Sequence, residues 1–429
     1  MTGSYWIETL GCPKNQVDSD KLVGTMVADG FVAADSPESA DVVVVNTCAF
    51  VEEARQESID VILGLDSVRA PGARLVVTGC MAERYGAELA EALPEVDSVS
   101  GFGQPITGVP VSLMAKPGGS AVVPAFDLLN LPRPRSEAPW AYVKLAEGCD
   151  RACGFCAIPS FRGKQRSRSI DDILAEVDQL DVREVVLVAQ DLAAFGRDQG
   201  VGERSIVPLV EQVAQRVDRV RLLYLYPSDL TDSLIEAILA TGVPYFDLSL
   251  QHVSAPLLRR MRRWGDGTRF LERITDIRRR EPSAAFRSNF IVGYPGETEA
   301  DHDQLLEFVE AAQLDWCGFF SFSSEDGTYA ADLDGVVPEG LMMQRLAELR
   351  ELQDSITWAR RDLLIGSSVD VLVDPVGRGR THREAPEIDG VVLLDPALEV
   401  GTFATVEIID ALGPDLVAAG ASPGDDDDE

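Results

Sequence analysis

The sequence predicts an α/β protein with an N-terminal doubly wound parallel sheet, a central partial (β/α) barrel and a small C-terminal antiparallel β-barrel. Three observations support this prediction. The 429 residues exceed what one hydrophobic core usually supports, so more than one domain is expected. Apolar strand-like runs alternate with helical stretches over most of the chain, as in parallel sheets covered on both faces. From about residue 367, short strands separated by turn residues replace this alternation.

The first predicted domain covers residues 1–118 and carries three separated cysteines. Its predicted elements are strands at 5–10, 41–46 and 73–78 and a helix at 19–29. Cys12, Cys48 and Cys80 each lie two residues beyond the end of a predicted strand. In an open α/β sheet the carboxyl ends of the strands form the ligand-binding edge, so we expect the three thiols to converge there. A metal site and three buried thiols both remain open on this evidence alone.

The central domain is predicted over residues 139–366, after a linker at 119–138 that is rich in Gly, Pro and charged residues. The predicted strands are 141–145, 184–189, 220–226, 245–250, 285–292 and 316–322, and the main helices are 170–180, 205–217, 299–312 and 338–364. Six βα units predict a partial or complete parallel barrel, whose active site lies at the C-terminal ends of the strands.

The last predicted domain, residues 367–420, contains strands at 369–373, 390–394 and 403–408. Their short length and intervening turns predict a small antiparallel barrel. The acidic residues that close the chain, within 421–429, are interpreted as a solvated tail.

Composition restricts the function classes. The chain has 71 acidic and 38 basic residues and a net charge of −33, which repels phosphate backbones and attracts basic partners. No apolar stretch approaches the roughly 18 residues of a membrane span, and no signal peptide is recognisable, so a cytoplasmic protein that does not enter a membrane is expected. Seven cysteines are too few for a disulfide scaffold and favour metal or redox chemistry.

Three clustered cysteines carry the predicted chemistry. Cys149, Cys153 and Cys156 are spaced so that one loop can wrap around an iron–sulfur cubane, which takes four ligands when complete. The fourth iron is left open for the amino and carboxylate groups of S-adenosylmethionine. An electron passed into the sulfonium would then release a 5′-deoxyadenosyl radical. A structural zinc site is the alternative, but it would need a fourth ligand, and the three histidines lie far away in sequence.

Further motifs accompany this loop: Phe155 before the third cysteine, Ala-Gln-Asp at 189–191 and Gly-Tyr-Pro-Gly-Glu-Thr at 293–298. With them the sequence is similar to the radical S-adenosylmethionine superfamily. The resemblance implies cofactor contacts for Phe155, Gln190, Asp191, Gly293, Pro295 and Glu297. Phe155 would pack on the adenine, the next two would lie at the methionine end, and the last three near the adenosine. Barrel-lining core residues and tight turns are the alternative reading of these positions.

More narrowly, the chain resembles the methylthiotransferase family over nearly its whole length. The matching N-terminal motifs are Gly-Cys-Pro-Lys-Asn at 11–15, Asn-Thr-Cys at 46–48 and Thr-Gly-Cys at 78–80. The resemblance implies a second 4Fe-4S cluster on Cys12, Cys48 and Cys80, whose open iron carries the sulfur or methylthio group. One S-adenosylmethionine would methylate this sulfur, and a second would generate the radical that abstracts hydrogen from an unactivated carbon.

The family has two main branches, one acting on an adenosine of transfer RNA and one on the β-carbon of an aspartate in ribosomal small-subunit protein 12. The motif at 11–15 and the stretch Glu-Ala-Pro-Glu-Ile-Asp-Gly at 384–390 resemble the ribosomal-protein branch, the latter within its terminal TRAM domain. Residues 367–429 carry 3 basic and 15 acidic residues, which suits a basic protein target better than RNA. General solubility would also explain this acidity, and residues 377–383 are more basic than the branch leads us to expect.

The predicted partners are ribosomal small-subunit protein 12 and a reductase such as flavodoxin or ferredoxin, with a monomer as the expected state. RNA contact is not favoured. Arg162, Lys164, Arg166 and Arg168 follow the cysteine loop and predict a basic patch, either for an acidic ligand group or for pairing with nearby acids. A transfer-RNA-modifying enzyme and a non-catalytic iron–sulfur protein with fully ligated clusters are the competing hypotheses.

Overall fold

The structure is a computed structural model that describes residues 3–106, 127–200 and 205–421. The predicted boundary at residue 118 and nearly all of the predicted acidic tail lie outside the described residues. Among the described helices, none has the length and apolar character needed to cross a membrane.

The N-terminal domain is a five-stranded parallel sheet in the order β2-β1-β3-β4-β5. Its elements are β1 (Ser4–Thr9), α1 (Pro13–Ala28), β2 (Val32–Ala33), β3 (Val42–Thr47), α2 (Glu52–Val68), β4 (Arg74–Gly79), α3 (Cys80–Ala92) and β5 (Ser98–Val99). The strand order reverses between β1 and β3, which is the crevice where doubly wound sheets bind ligands. The predicted doubly wound parallel sheet is confirmed.

The start of the first helix was predicted wrongly. The helix α1 begins at Pro13, six residues before the predicted start, because proline fits the first helical position and Cys12 takes the N-cap place. The distances from strand to cysteine also differ from the expected two residues. Cys48 and Cys80 directly follow β3 and β4, while Cys12 lies three residues beyond β1.

The described half of the predicted linker packs tightly against the neighbouring domains. Leu128, Leu129 and Leu131 are buried, and the first two lie in a short 3-10 helix. Arg133 is also buried and donates to Asp20 of α1 at 2.7 Å. This stretch therefore fixes the N-terminal domain to the central one.

The central domain is a six-stranded parallel partial barrel, as predicted. The strands form two hydrogen-bonded sheets of three, β6-β9-β10 and β11-β12-β13, which the parallel bridge between Leu225 and Leu248 connects. The elements are β6 (Trp140–Lys144), β7 (Ala146–Glu147), α4 (Ile158–Phe161), β8 (Arg166–Ser167), α5 (Ile170–Leu180), β9 (Glu184–Val188), α6 (Ile206–Ala214), β10 (Arg219–Leu222), α7 (Asp232–Ala240), β11 (Tyr245–Gln251), α8 (Ala255–Arg260), α9 (Gly267–Arg280), β12 (Ala285–Val292), α10 (Glu299–Ala312), β13 (Trp316–Ser321) and α11 (Glu339–Asp362).

The two faces of this curved sheet have different partners. Alternate strand residues such as Val143, Val185 and Leu187 pack with the surrounding helices in the largest apolar cluster. The residues between them face the interior, where they pack with Val17 of α1 and Ala385 of the C-terminal domain. Both neighbouring domains therefore help to fill the interior of the barrel.

The C-terminal domain is a closed five-stranded barrel in the order β14-β15-β16-β18-β17. Its strands are β14 (Ser368–Val373), β15 (Arg378–Arg380), β16 (Val392–Leu393), β17 (Phe403–Leu412) and β18 (Asp415–Ala418). The predicted small barrel is confirmed, although its pairing is not purely antiparallel, because β16 and β18 run parallel.

Residues 381–389, between β15 and β16, close the central barrel at the N-terminal ends of its strands; we call them the floor segment. Tyr142 of β6 donates to the carbonyl of Pro386 at 3.0 Å, and Tyr245 of β11 donates to Asp389 at 2.6 Å. Ala385 is fully buried between them. The stretch that resembles a family signature thus closes one end of the central barrel.

The same contact accounts for the basic residues at 377–383. Arg380 is 2% exposed and ion-pairs with Glu184 of β9 at 3.0 Å and with Asp374. Arg383 is half-buried near Asp315 of the central domain. Two of the three arginines therefore face the protein interior.

Candidate functional site

The loop that carries Cys149, Cys153 and Cys156 lies at the C-terminal end of the first barrel strand. It is held at its base by the antiparallel pair β7–β8 and by a hydrogen bond from the Cys149 amide to the carbonyl of Gly163, at 3.1 Å. Gly154 in its centre donates to the carbonyl of Met261 at 2.8 Å and accepts from the Ala330 amide at 2.8 Å. Backbone contacts at both positions fix the path of the loop.

Gly148 fits this loop only because it lacks a side chain. Its φ is +77°, and an added Cβ would lie 2.6 Å from the carbonyl oxygen of Gly163 and closer still to that of Lys164. Left-handed strain alone lowers the stability of the folded loop by about 1–3 kcal/mol. We expect Gly148→Ala to lower it further, because the contact with the backbone carbonyls cannot be relieved. The expected result is a protein that retains markedly less iron after anaerobic reconstitution.

Gly242 offers the matched control for this substitution. Its φ is +74°, and an added Cβ would meet nothing within 4 Å. Gly242→Ala therefore adds the same backbone strain without the steric contact, and iron retention should equal that of the parent protein. Equal iron loss in both variants would show that left-handed strain alone, and not the close approach, is responsible.

Charged groups surround the loop on the side of β9 and β10. The Arg151 guanidinium bonds Asp191 at 2.6 Å, pairs with Asp229 and lies 3.8 Å from the centre of the Tyr226 ring. Burial raises the pKa of Asp191, against the opposing effect of Arg151. Arg263 donates to the Cys153 Sγ at 3.4 Å.

Two predicted cofactor residues present unused acceptors beside the loop. Gln190 donates to Glu147 at 2.9 Å, but its Oε1 is buried with no hydrogen-bond partner among the described residues. Asp191 Oδ1 is in the same condition. Buried acceptors without partners are costly, and a bound ligand with N–H or O–H donors would satisfy both.

The predicted adenosine stretch forms a turn that touches the cysteine loop through Tyr294. A Cβ on Gly154 would lie 2.8 Å from the Tyr294 hydroxyl. The Glu297 carboxylate is already engaged, since it accepts from the Gly293 amide at 2.6 Å and pairs with Arg345 at 2.8 Å. Glu297 therefore holds the shape of the turn, as the tight-turn alternative anticipated.

The other two predicted residues have modest local roles. Pro295 offers its carbonyl to Arg260 at 2.8 Å, which ties the turn to α8. Phe155 is partly buried and packs against the main apolar cluster beside the loop.

The three N-terminal cysteines meet at the crevice between β1 and β3. Cys12 caps α1, Cys48 follows β3 and Cys80 begins α3. A Cβ on Gly11 would lie 2.9 Å from the Cys48 Sγ, so only glycine permits this approach. Asn15 fixes the crevice, since its side-chain amide donates to the carbonyls of Leu10 and Thr47 at 2.8 and 3.0 Å.

The thiols differ in their electrostatic surroundings. Burial raises the pKa of Cys48 to about 12, together with the nearby Cys12 and Cys80 thiols. Burial acts on Cys12 as well, but Lys14, Arg162 and backbone N–H groups outweigh it and lower the pKa of Cys12. In the loop, burial raises the pKa of Cys149 to about 11 and of Cys156 to about 12. Iron binding by these thiols must therefore release protons.

Arg162 links the N-terminal cysteines to the base of the cysteine loop. It is 8% exposed, and its Nη2 donates to the Cys80 Sγ at 3.0 Å and to Asn15 Oδ1 at 2.8 Å. Its Nη1 donates to Glu147 at 2.8 Å, directly before the cysteine loop, and pairs with Asp18 of α1 at 3.3 Å. One buried guanidinium thus contacts both sides of the site.

Lys144 completes this buried network. It is fully buried and pairs with Asp18 at 2.7 Å and with Glu147 at 2.5 Å. Although burial opposes ionisation, Arg162 and Lys144 lower the pKa of Glu147 to about 2. A second contact between the domains is made by Lys14, whose Nζ lies 3.3 Å from the centre of the Tyr224 ring.

Three of the four residues of the predicted basic patch are therefore paired with acids, while Lys164 is exposed. Arg166 pairs with Asp127 at 2.6 Å and Arg168 with Glu176 at 2.6 Å, in addition to the pairs of Arg162. For the three arginines, the structure shows pairing with nearby acids, the alternative weighed for these residues. Neither the partners of Arg162 nor the roles of Arg151 and Arg263 were recognisable from the sequence.

The residues present fit iron–sulfur clusters. Each group offers three thiols, and N–H donors reach the Cys80 and Cys153 sulfurs. In the described ranges, no three His, Cys, Asp or Glu side chains are close enough together to hold a single metal ion. A cubane binds each thiolate through a different iron, so its ligands stand farther apart than those of one ion.

Three family models match successive parts of the chain: the uncharacterized protein family UPF0004 over residues 4–101, the Radical SAM superfamily over 143–309 and the TRAM domain over 365–420. The relative from Cutibacterium acnes is 41% identical, covering 96% of this chain and 97% of its own. Those from Kineococcus radiotolerans and Streptomyces coelicolor are each 40% identical, covering 97% and 96% of this chain and 96% and 95% of theirs. All three are named ribosomal protein uS12 methylthiotransferase RimO. The chain belongs to the RimO family of radical S-adenosylmethionine methylthiotransferases.

Proposed function

We propose that this protein adds a methylthio group to the β-carbon of an aspartate in ribosomal protein uS12. It uses S-adenosylmethionine and two 4Fe-4S clusters, one on Cys149, Cys153 and Cys156 and one on Cys12, Cys48 and Cys80. The observation that carries the proposal is the buried Arg162, which donates to the Cys80 sulfur and to Glu147 at the base of the loop that carries Cys149, Cys153 and Cys156. The full-length relatives named as uS12 methylthiotransferases support the same activity.

When bound, the clusters supply the electron and the sulfur attachment point that radical methylthiolation needs. The chain itself supplies orientation. Gln190 and Asp191 each keep a buried oxygen without a hydrogen-bond partner among the described residues, and Arg151 holds Asp191 in place. The turn at 293–297, held by Glu297, brings Tyr294 against Gly154.

Exclusion of water is the second contribution of the chain. The floor segment closes the barrel below, and α1 lies against the barrel near the mouth through Val17 and Lys14. Reactive radicals survive only where water and oxygen are kept away. We also propose domain boundaries at residues 118, 138, 366 and 420. They separate the N-terminal domain, the linker, the radical domain, the C-terminal barrel and the acidic tail.

The charge of the C-terminal barrel supports a protein substrate. Two of its three arginines are turned toward the central domain, which leaves its acidic residues to dominate the outer surface. A basic ribosomal protein complements such a surface, whereas a phosphate backbone is repelled by it. We further propose a monomer that acts in the cytoplasm and receives electrons from a reductase such as flavodoxin or ferredoxin.

The test is a parallel anaerobic assay. The reconstituted protein, with reductant, S-adenosylmethionine and sulfide, is offered unmodified small ribosomal subunits, free uS12 and unmodified transfer RNA. We expect mass spectrometry to find a methylthio addition on an aspartate of uS12. uS12 with that aspartate replaced by alanine is the control and should remain unmodified.

Two results would contradict the proposal in different ways. Modification confined to transfer RNA would move the activity to the other branch of the family. Clusters that are fully ligated and do not bind S-adenosylmethionine would indicate a non-catalytic iron–sulfur protein. The comparison of free uS12 with assembled subunits shows which form the enzyme recognises.

A further inference from the structure

We infer that Arg162 raises the reduction potential of the N-terminal cluster by donating a hydrogen bond to the Cys80 sulfur. This inference rests on the proposed second cluster. Arg162 belongs to the loop that follows Cys156, so a residue of the radical domain sets a property of the cluster in the neighbouring domain. It is a positioning residue, since it acts through a cysteine and does not touch the substrate.

The contact itself is short and well defined. The Nη2 of Arg162 lies 3.0 Å from the Cys80 Sγ, within the range of N–H···S hydrogen bonds, and the same nitrogen lies 2.8 Å from Asn15 Oδ1. The other terminal nitrogen, Nη1, donates to Glu147 at 2.8 Å and to Asp18 at 3.3 Å. Four partners on two domains leave the group no freedom to turn away from the sulfur.

The surroundings make this hydrogen bond effective. Arg162 and Cys80 are both more than nine-tenths buried, and the Phe102 ring lies 4.3 Å from the guanidinium carbon. In such a water-poor place, charges interact more strongly than at the surface. Hydrogen bonds to cluster sulfurs and positive charge nearby stabilise the reduced state, which carries one more electron, and so raise the potential.

A purely structural role is the competing explanation. Arg162 also neutralises Asp18 and Glu147, and any buried cation there would serve that purpose. Lys144 pairs with the same two carboxylates at 2.7 and 2.5 Å, and among the described residues its ammonium group donates to no cysteine sulfur. A comparison of variants at Arg162 and Lys144 can therefore distinguish the effect of the sulfur contact from that of neutralising the carboxylates.

The test uses a full-length chain in which Cys149, Cys153 and Cys156 are replaced by alanine, so that the N-terminal cluster is observed alone. Arg162→Gln, Arg162→Lys, Lys144→Gln and Arg263→Gln are added singly. The midpoint of one-electron reduction by dithionite is measured by electron paramagnetic resonance. For Arg162→Gln we expect at least a tenfold fall in the reduced-to-oxidised ratio at fixed potential, a shift of about 59 mV to more negative values.

The other variants distinguish the effect of the hydrogen bond to Cys80 from that of positive charge alone. Lys144→Gln removes a positive charge without touching a sulfur and should shift the midpoint less than Arg162→Gln. Arg263→Gln, whose side chain faces Cys153, should leave it unchanged. If Arg162→Gln fails to retain iron, the midpoint of Arg162→Lys is used instead, because lysine keeps the positive charge but not the forked arrangement of N–H donors. We expect this midpoint to shift to more negative values, but by less than that of Arg162→Gln.

The outcomes separate this inference from the proposed function. A midpoint that is the same in the parent chain and in its Arg162→Lys and Arg162→Gln variants would overturn the inference alone. A shift in Lys144→Gln as large as that in Arg162→Gln would also overturn it, in favour of simple charge. A triple-cysteine variant that binds no iron would overturn the second cluster and the inference with it.

Discussion

Replacing Cys153 with alanine is expected to reduce cleavage of S-adenosylmethionine by on the order of 10⁶-fold or more, because the cofactor and not the protein carries this chemistry. Cys153 is the central cysteine of the loop, and Arg263 donates to its sulfur at 3.4 Å. In the proposed two-cluster enzyme the radical cluster would then lack one of its three protein ligands, and the iron content should fall from about eight to about four atoms per chain. The measurement is deoxyadenosine released under reducing conditions, with iron analysed in parallel.

Two cysteine variants make the result specific. Cys317 lies on β13, away from both groups, and Cys317→Ala should keep both the iron and the deoxyadenosine of the parent protein. Cys80→Ala should lose the N-terminal iron and the methylthio product while still releasing deoxyadenosine. Cleavage of S-adenosylmethionine that persists in Cys153→Ala would refute the assignment of the loop as the radical site.

Replacing Arg380 with alanine is expected to lower the free energy of unfolding by about 3–5 kcal/mol, the usual cost of removing one partner from a buried ion pair. Arg380 is 2% exposed and neutralises two carboxylates, Glu184 and Asp374. Glu184 would keep its pair with Arg221 at 2.9 Å, but Asp374 would lose the arginine that bonds it. Anaerobic urea unfolding, followed by circular dichroism, measures the change.

Arg135 provides the same substitution at a solvated pair. Arg135 and Asp181 are 3.1 Å apart with side chains 69% and 73% exposed. Because water screens such pairs, Arg135→Ala should change the free energy of unfolding by no more than about 1 kcal/mol. Equal effects of the two substitutions would mean that the contact between the C-terminal barrel and the central barrel contributes little to stability.

Much of the fold was predictable because its signals are local. Apolar runs between helices located three of the five strands of the N-terminal sheet and all six strands of the central one, while the two-residue strands β2 and β5 were missed. The helices at 170–180 and 299–312 agree with α5 and α10 at both ends. Helix ends with weak periodicity were harder to predict. The start of α1 was predicted too late, because a proline is also common in turns. Only the structure shows that Cys12 is the N-cap residue and that Pro13 takes the first helical position.

Residue type and spacing were enough to identify the six candidate cysteines, whose role as cluster ligands stays a prediction. The partners that surround them could not be predicted, because they come from distant parts of the chain. Arg162 and Cys80 are 82 residues apart, and Lys144 and Asp18 are 126 residues apart. The carboxylate of Glu297 is engaged with Gly293 and Arg345, which the motif alone did not indicate, and its contact with the cofactor stays a prediction.

The floor segment has a consequence for experiments that remove the C-terminal domain. One expected effect of such a deletion is the loss of the acidic surface that we propose for binding uS12. Here it would also expose the interior of the radical barrel, since Tyr142, Tyr245 and Arg221 would lose the partners that cover them. Oxygen would then have a route to the cysteine loop from below. A truncated enzyme that fails to modify uS12 would therefore reveal little about recognition unless its clusters are first shown to tolerate air as well as those of the intact chain.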